Sequence, residues 1–256
     1  MGLWYNGGIT GTQLAKGVRM GIGFGKLLTA GLANAKIAKG EGGEYLSTIM
    51  HLAPHKVAGV GNVCPWASPG CAGGCLNTAG RGRFNSVQLC RIARTKFYVQ
   101  HRQDFLKMLF KELTGHVRRA IKLSKIPVAR LNGLSDIVWE VVAPQIFDTF
   151  SDVTFYDYTK AAKRCMNRWA LPSNYHLTFS RSEINQAECR KVLRAGRSNV
   201  AVVFDGTPNK YMGKPTFSMD TNDLRFLDPP GGMIGTLTAK GRAKKDTSGF
   251  VVRVSQ

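Results

Sequence analysis

Three cysteines lie close together in a stretch rich in glycine and proline, with the spacing C-x6-C-x3-C. They are Cys64, Cys71 and Cys75, in a loop that we place at residues 62–82. Glycine and proline permit tight turns, so this backbone can fold three thiolates around one centre. Three thiolates leave one coordination position open. That suits a four-iron cluster with one exposed iron, or a zinc ion completed by a fourth residue.

The fourth residue is the open question of this loop. Cys90 is the first candidate, and His51 and His55 are the next. The six cysteines are poor evidence for disulfides, because the chain shows no secretion signal and a reducing cytosol keeps thiols free. The alternative to a metal is that the thiols are buried and behave as small hydrophobic groups. We expect a 4Fe-4S cluster, with zinc as the alternative.

Polar residues follow the ends of two neighbouring predicted strands. Asn132, Gly133 and Asp136 follow one strand, where they suit a ligand's amine or hydroxyl groups, although Asp136 also suits the N-cap of the next helix. Asp157 and Lys160 follow the next strand. A carboxylate and an amine at such a position can serve as catalytic acid and base or grip a substrate, and a plain ion pair is the alternative.

A further strand end carries Ser180 and Arg181. We predict Ser180 to cap the following helix, with Glu183 at its third position. The guanidinium fork of Arg181 suits a phosphate or carboxylate, while pairing with Glu183 or Asp157 is the structural alternative. The candidate site therefore comprises catalytic Asp157, Lys160 and Arg181, with Asn132, Gly133, Asp136 and Ser180 as binding residues.

Strands alternate with helices along most of the chain, which is typical of parallel βαβ units. The predicted strands are residues 45–53, 128–131, 153–156, 175–179, 199–204 and 233–238. The predicted helices are residues 139–150, 161–169 and 182–195, with two helices, or one bent near His101, over residues 85–125. Polar residues at the strand ends favour a partial (β/α)6-type open barrel of mainly parallel strands. We expect a glycine-rich extension at residues 1–44 and a single α/β domain at residues 45–256.

The chain is strongly basic, with 36 Lys and Arg against 16 Asp and Glu and a formal charge of +20. The charge concentrates in residues 81–125, in residues 242–245, and on Lys160, Lys163, Arg164 and Arg168. Such a surface favours contact with the phosphates of nucleic acid, and a solvated basic face is the alternative. No apolar run is long enough to span a bilayer, so we expect no membrane association and a cytoplasmic location.

Several segments resemble a group of uncharacterised tailed-phage proteins. They are residues 62–82, 130–133, 156–160, 175–183 and 223–228, within a likeness that extends over residues 28–251. The cysteine loop is also similar to that of the phage gene-product-eighty-eight family. This resemblance implies a phage origin, and hence the cytoplasm of the host cell, without implying an activity.

A second resemblance, of position within a fold, is to radical S-adenosylmethionine enzymes. Those enzymes have a partial β/α barrel, a three-cysteine loop after the first strand that holds a four-iron cluster, and a glycine-containing turn after the second strand. Cys64, Cys71 and Cys75 match the first feature and Asn132 with Gly133 the second. The family's C-x3-C-x2-C spacing and its Gly-Gly-Glu motif are missing, and position in a fold does not establish function.

Two functions follow as hypotheses. The first is a phage-encoded, iron–sulfur-dependent enzyme of radical type that modifies nucleic acid or nucleotides, for which S-adenosylmethionine is a candidate cofactor. The second is a non-enzymatic nucleic-acid-binding protein of replication, whose zinc or cluster is structural. A closed site that includes Cys90 would favour the second, because a reactive cluster needs an exchangeable position.

Overall fold

A mostly parallel sheet of nine strands forms the centre of the protein, in a computed structural model that describes residues 23–31, 43–166 and 171–254. The strands are β1 (Leu28–Ala30), β2 (Tyr45–Met50), β3 (Ile126–Arg130), β4 (Thr154–Thr159), β5 (Tyr175–Ser180), β6 (Val200–Phe204), β7 (Lys210–Tyr211), β8 (Lys214–Ser218) and β9 (Ile234–Thr238). Their order across the sheet is β1-β2-β3-β4-β5-β6-β9-β8-β7. Strands β2 to β6, β9 and β8 run parallel, while β1 and β7 pair antiparallel with their neighbours.

Seven α-helices lie in the described parts of the chain. They are α1 (Pro69–Gly73), α2 (Asn85–Gln100), α3 (Arg102–Lys122), α4 (Trp139–Val142), α5 (Gln145–Thr149), α6 (Ala162–Met166) and α7 (Gln186–Ala195). Helix α3 shows why they form: Phe105, Leu109 and Leu113 recur every four residues on one face and are fully buried. A helix with such a stripe is stabilised by packing it against a sheet.

Alternate residues of each strand point to opposite faces of the sheet. One face meets the helices in the main core, which takes Ala129 from β3, Phe155 from β4 and Leu177 from β5. On the other face, Val128 and Tyr156 pack with a cluster from a later segment of the chain, Leu224 and Phe226. Because β2 to β6 are also consecutive along the sheet, the carboxyl ends of five parallel strands meet at one edge.

The first strand closes the outer boundary of the parallel sheet beside β2. Its three residues pair with β2 through Leu28↔Met50, Thr29↔Ile49 and Ala30↔Thr48. The carboxylate of Glu112 on α3 accepts hydrogen bonds from the backbone N–H groups of Leu27 and Leu28, at 2.9 and 2.7 Å. This short strand, which lies within the predicted N-terminal extension, is therefore tied to both the sheet and a helix.

The predicted architecture is confirmed as an α/β fold with an open, mostly parallel sheet. All six predicted strands are present, and residues 85–125 form two helices that meet at His101. The helix predicted at residues 139–150 is instead two short helices, because the chain turns at Ala143 and Pro144. The end of the helix predicted at residues 161–169 lies outside the described residues, while β1, β7 and β8 were not predicted.

A substitution at Gly133 tests how tightly the ends of β2 and β3 are packed. Its N–H donates to the carbonyl of Met50 at 3.0 Å, and an added Cβ would lie 2.5 Å from that oxygen. We expect Gly133→Ala to lower the free energy of unfolding by about 1–3 kcal/mol, the usual cost of overpacking. Urea unfolding with Gly115→Ala as the control checks this. Gly115 lies on α3 with open space around it, so that change should be neutral or stabilise by up to ~1 kcal/mol. Equal unfolding midpoints for the two variants would contradict the prediction.

Candidate functional site

The cysteine loop connects β2 to α2 at the carboxyl edge of the sheet. Cys71 lies on α1, and Cys75 precedes a 3₁₀ turn at Leu76–Thr78. All three sulfurs are partly buried and free. Burial raises the pKa of Cys64 and of Cys75, and the neighbouring thiols add to both increases. The loop therefore places three partly buried thiols at the carboxyl edge of the sheet.

Hydrogen bonds point at two of these sulfurs. The backbone N–H of His55 donates to Cys64 Sγ at 3.2 Å, and the backbone N–H of Asn77 opposes the rise that burial causes in the pKa of Cys75. His55 adopts a φ of +56°, in the left-handed region that a non-glycine residue rarely enters. Burial nevertheless raises the pKa of Cys64 to about 12. Without a metal this group stays a neutral thiol at pH 7, and its Sγ donates to Leu134 O at 3.2 Å.

Helix α1 is held in place by a carboxylate from beyond β5. Ser68 caps the helix and donates through its hydroxyl to Glu183 Oε2 at 2.6 Å, while the Gly70 N–H donates to Glu183 Oε1 at 2.7 Å. Burial raises the pKa of Glu183, but the hydrogen bonds from Ser68 and Gly70 outweigh burial and leave it below its usual value. Glu183 thus fixes the position of Cys71.

The predicted metal site is not preformed for a single ion. In the described part of the chain, no three His, Cys, Asp or Glu side chains are arranged so that they could hold a metal ion. The sulfur of the predicted fourth ligand, Cys90, lies 3.8 Å from the carbonyl of Gly23. Its neighbour Arg91 instead contacts Asn77 and influences Cys75, so the two residues point to different sides of α2. The metal-ligand roles of the four cysteines stay predictions.

Asn132 and Asp157 form one buried network. The Asn132 backbone N–H and the Tyr175 hydroxyl donate to the Asp157 carboxylate at 2.7 and 2.8 Å. Asn132 Oδ1 accepts from Ser135 and from the backbone of Ile137, at 2.8 and 2.9 Å. Burial raises the pKa of Asp157 to about 7, although the Arg130 charge and the Asn132 hydrogen bond oppose that rise. Both side chains therefore hold the sheet edge together, and their partners are protein groups.

Asp136 and Lys160 are the charged residues of the predicted site that act on the thiols. Asp136 accepts from the backbone N–H of Lys160 at 2.8 Å and pairs with Arg164 at 3.1 Å. Lys160 Nζ donates to Ser180 Oγ at 2.7 Å, so the amine bridges β4 and β5 rather than pairing with Asp157. Burial raises the pKa of Asp136. Asp136 is among the charges that act on Cys64, and Lys160 is among those that act on Cys75.

The guanidinium of Arg181 anchors the end of the chain. Its Nη1 donates to the carbonyls of Gly249 and Phe250, each at 2.8 Å. These bonds replace the pairing with Glu183 or Asp157 that we considered from sequence. Arg181 is buried, so its described role is to hold the C-terminal segment against β5.

Two predicted helix caps are wrong. Helix α4 begins at Trp139, so Asp136 does not cap it. The Asp136 carboxylate accepts from the backbone N–H of Lys160 instead. Helix α7 begins at Gln186 and not after Ser180, because Asn185 folds back: its Oδ1 accepts from the Ser182 N–H at 2.7 Å. Glu183 is consequently left outside α7 and reaches across to α1. No local sequence signal identifies this long-range contact.

The predicted basic surface is confirmed for some residues and corrected for Arg91 and Arg164, which are both buried. Arg81, Arg83 and Lys163 are exposed. Arg164 is buried and pairs with Glu140 at 2.7 Å as well as with Asp136, so it stabilises the fold and is not available to phosphates. Arg168 lies outside the described residues.

Glu183→Gln tests the contact that positions α1. The amide nitrogen of glutamine cannot accept, so one of the two hydrogen bonds from the loop is lost, and we expect a lower urea midpoint at neutral pH. The folded pKa of Glu183 is lowered. Its stabilisation is therefore present above the unfolded pKa and lost as pH falls through the folded value. The midpoint difference from wild type should shrink in acid. Glu188→Gln on α7 is the control, and an equal loss there would refute the role of Glu183.

Comparisons with known proteins give one match. No curated protein and no solved structure matches the chain. None of the helices in residues 23–31, 43–166 and 171–254 is long and apolar enough to cross a membrane. The model of one protein family, described as gene product 88, matches residues 26–254. The match covers the cysteine loop, every strand and every helix described above, and the chain therefore belongs to the gene product 88 family of phage proteins.

Proposed function

We propose that this protein is an iron–sulfur protein that acts on a nucleic acid or a nucleotide. Cys64, Cys71 and Cys75 would hold a four-iron cluster. The observation that carries the proposal is that three partly buried, free thiols lie on one loop at the carboxyl edge of a parallel sheet. That edge is where parallel α/β proteins place their sites.

The number of thiols in the loop suits a cluster, with zinc as the alternative. Three cysteines leave one iron of a four-iron cluster without a protein ligand, whereas a structural zinc ion takes four. N–H groups directed at Cys64 and Cys75 are also a feature that tunes cluster sulfurs.

Metal binding would have to overcome burial, which raises the pKa of Cys64 and of Cys75 and so favours the neutral thiols. Thiolates are the ligands of iron, and burial alone keeps Cys64 protonated. The positive charge of bound iron would stabilise the thiolate, aided at Cys75 by the nearby Lys160 and Arg91. When bound, a cluster held by three cysteines supplies one-electron chemistry at an iron that the protein does not ligate.

We also propose that the sheet is part of an open β/α barrel, and the order of its strands supports this. Strands β2 to β6 and then β9 are successive neighbours and all parallel, as in an opened β/α barrel. Asp136 acts on Cys64 and Lys160 on Cys75, and Lys160 bonds to Ser180. Asn132 and Asp157 are occupied by each other and by Tyr175, so they position the edge and do not contact substrate.

A second candidate is a non-enzymatic nucleic-acid-binding protein with a structural metal site. It is favoured by the use of Asp157 and Arg181 in internal hydrogen bonds. With the predicted acid–base pair of Asp157 and Lys160 absent, fewer groups are available for catalysis. The basic surface would then be the functional feature, and the metal would fold the loop.

Cysteine variants test the cluster. After anaerobic reconstitution we expect iron and sulfide in the wild-type protein, and a large loss of both in Cys64→Ser, Cys71→Ser and Cys75→Ser. Cys90→Ser is the matched control and should retain the cluster, because its sulfur contacts the Gly23 carbonyl. Metal and sulfide analysis checks this. A folded wild-type protein that takes up no iron sinks the proposal, and loss of iron in Cys90→Ser would establish a closed site and the second candidate.

S-adenosylmethionine separates radical chemistry from other uses of a cluster. Electron paramagnetic resonance of the reduced, reconstituted protein is measured with and without this compound. A changed cluster signal supports the radical enzyme, because only an iron open to exchange can bind the added ligand. An unchanged signal removes S-adenosylmethionine from the proposal.

A further inference from the structure

Two basic segments that are far apart in sequence meet beside Cys75. The 3₁₀ turn Leu76–Thr78 packs against the 3₁₀ turn Gly80–Arg83 and against a third at Gly241–Lys245. At this junction an added Cβ on Gly241 would lie 3.0 Å from the Cβ of Ala79. We call the combined exposed region the basic turn surface; its charged members are Arg81, Arg83, Arg242, Lys244 and Lys245.

The basic turn surface is held rigid from beneath. Gln88 Nε2 on α2 donates to the carbonyls of Asn77, at 2.6 Å, and Gly82. Arg91 Nη1 donates to Asn77 Oδ1 at 2.7 Å. An added Cβ on Gly82 would lie 2.6 Å from Asn77 O. These contacts therefore hold the turn that carries Arg81 and Arg83 in one conformation.

Large apolar side chains stand in solvent among these charges. Phe84 directly follows Arg83, donates its N–H to Arg81 O at 3.2 Å, and is 53% exposed; Leu76 is 54% exposed. Residues 45–103, which include the whole cysteine loop and α2, contain no Asp or Glu. An exposed aromatic ring flanked by arginines, without nearby acidic residues of the same segment, suits stacking on a base with phosphates held on either side.

We propose that the basic turn surface binds single-stranded nucleic acid and presents it to the cysteine loop. This inference rests on the proposed function and specifies the form of the substrate. Bases within a duplex are stacked on each other and cannot reach Phe84, whereas unpaired bases can. The lysines and arginines would contact the phosphate backbone, and Phe84 would stack on one base.

Binding of labelled single-stranded DNA and RNA oligonucleotides, and of the same DNA as a duplex, tests this by fluorescence anisotropy on the full chain. Phe84→Ala should weaken single-strand binding about tenfold, within the range for one stacked base, and leave duplex binding unchanged. Arg81→Ala with Arg83→Ala should reduce the slope of log affinity against log salt by about 0.7 for each phosphate that the protein no longer neutralises. Lys111→Ala with Arg118→Ala, an equal charge change on the exposed side of α3, is the control and should have little effect.

The outcomes separate this inference from the cluster. Tighter binding of the duplex, no effect of Phe84→Ala, or an equal loss of affinity in the α3 control would each overturn the single-strand surface. Iron content is measured on every variant, and Phe84→Ala should keep the wild-type value. A protein that takes up no iron but shows the Phe84-dependent binding would refute the cluster while supporting the surface.

Discussion

Burial of the Asp157 carboxylate is the constraint on which the rest of the site depends. A fully buried carboxylate must be hydrogen-bonded, because leaving it unpaired costs several kcal/mol. Its partners come from the turn after β3 and from β5. The Tyr175 hydroxyl accepts in turn from Arg164, which pairs with Asp136, and Asp136 accepts from the backbone of Lys160. One connected network therefore links the turn after β3, the interior and end of β4, and the first residue of β5.

The cysteine loop is attached to the elements around this hydrogen-bond network at separate points. The Asp136 N–H donates to the carbonyl of Val63, next to Cys64, and the Cys64 sulfur donates to the carbonyl of Leu134. Glu183 holds the part of the loop that forms the start of α1, through Ser68 and Gly70. Thiols that are buried and protonated gain a partner when a cation arrives, so uptake of a metal would add to the stability of a loop whose backbone is already placed.

Period and composition were sufficient to predict six of the seven parallel strands and helices α2 and α3, but not helix α1, which carries Cys71. The six strands are short runs of β-branched and aromatic residues, and helix α3 has a clear apolar stripe. The roles of the polar residues could not be predicted in the same way. Asp157, Arg181 and Glu183 each bond to segments distant in sequence, and a local pattern contains no information on such partners. Strand β1 was missed because three residues are too few to show a period.

Strand β1 also affects whether the edge of the sheet can pair with the sheet of another copy of the chain. The outermost parallel strand, β2, would otherwise present a row of unpaired N–H and C=O groups, which is a template for intermolecular sheet growth. Three residues, pinned by one glutamate of α3, cover the half of that row formed by residues 48–50. A shortened chain that begins at β2 would keep its cysteines but lose the core residues Leu27 and Leu28 and uncover the edge of β2, so loss of β1 would favour self-association.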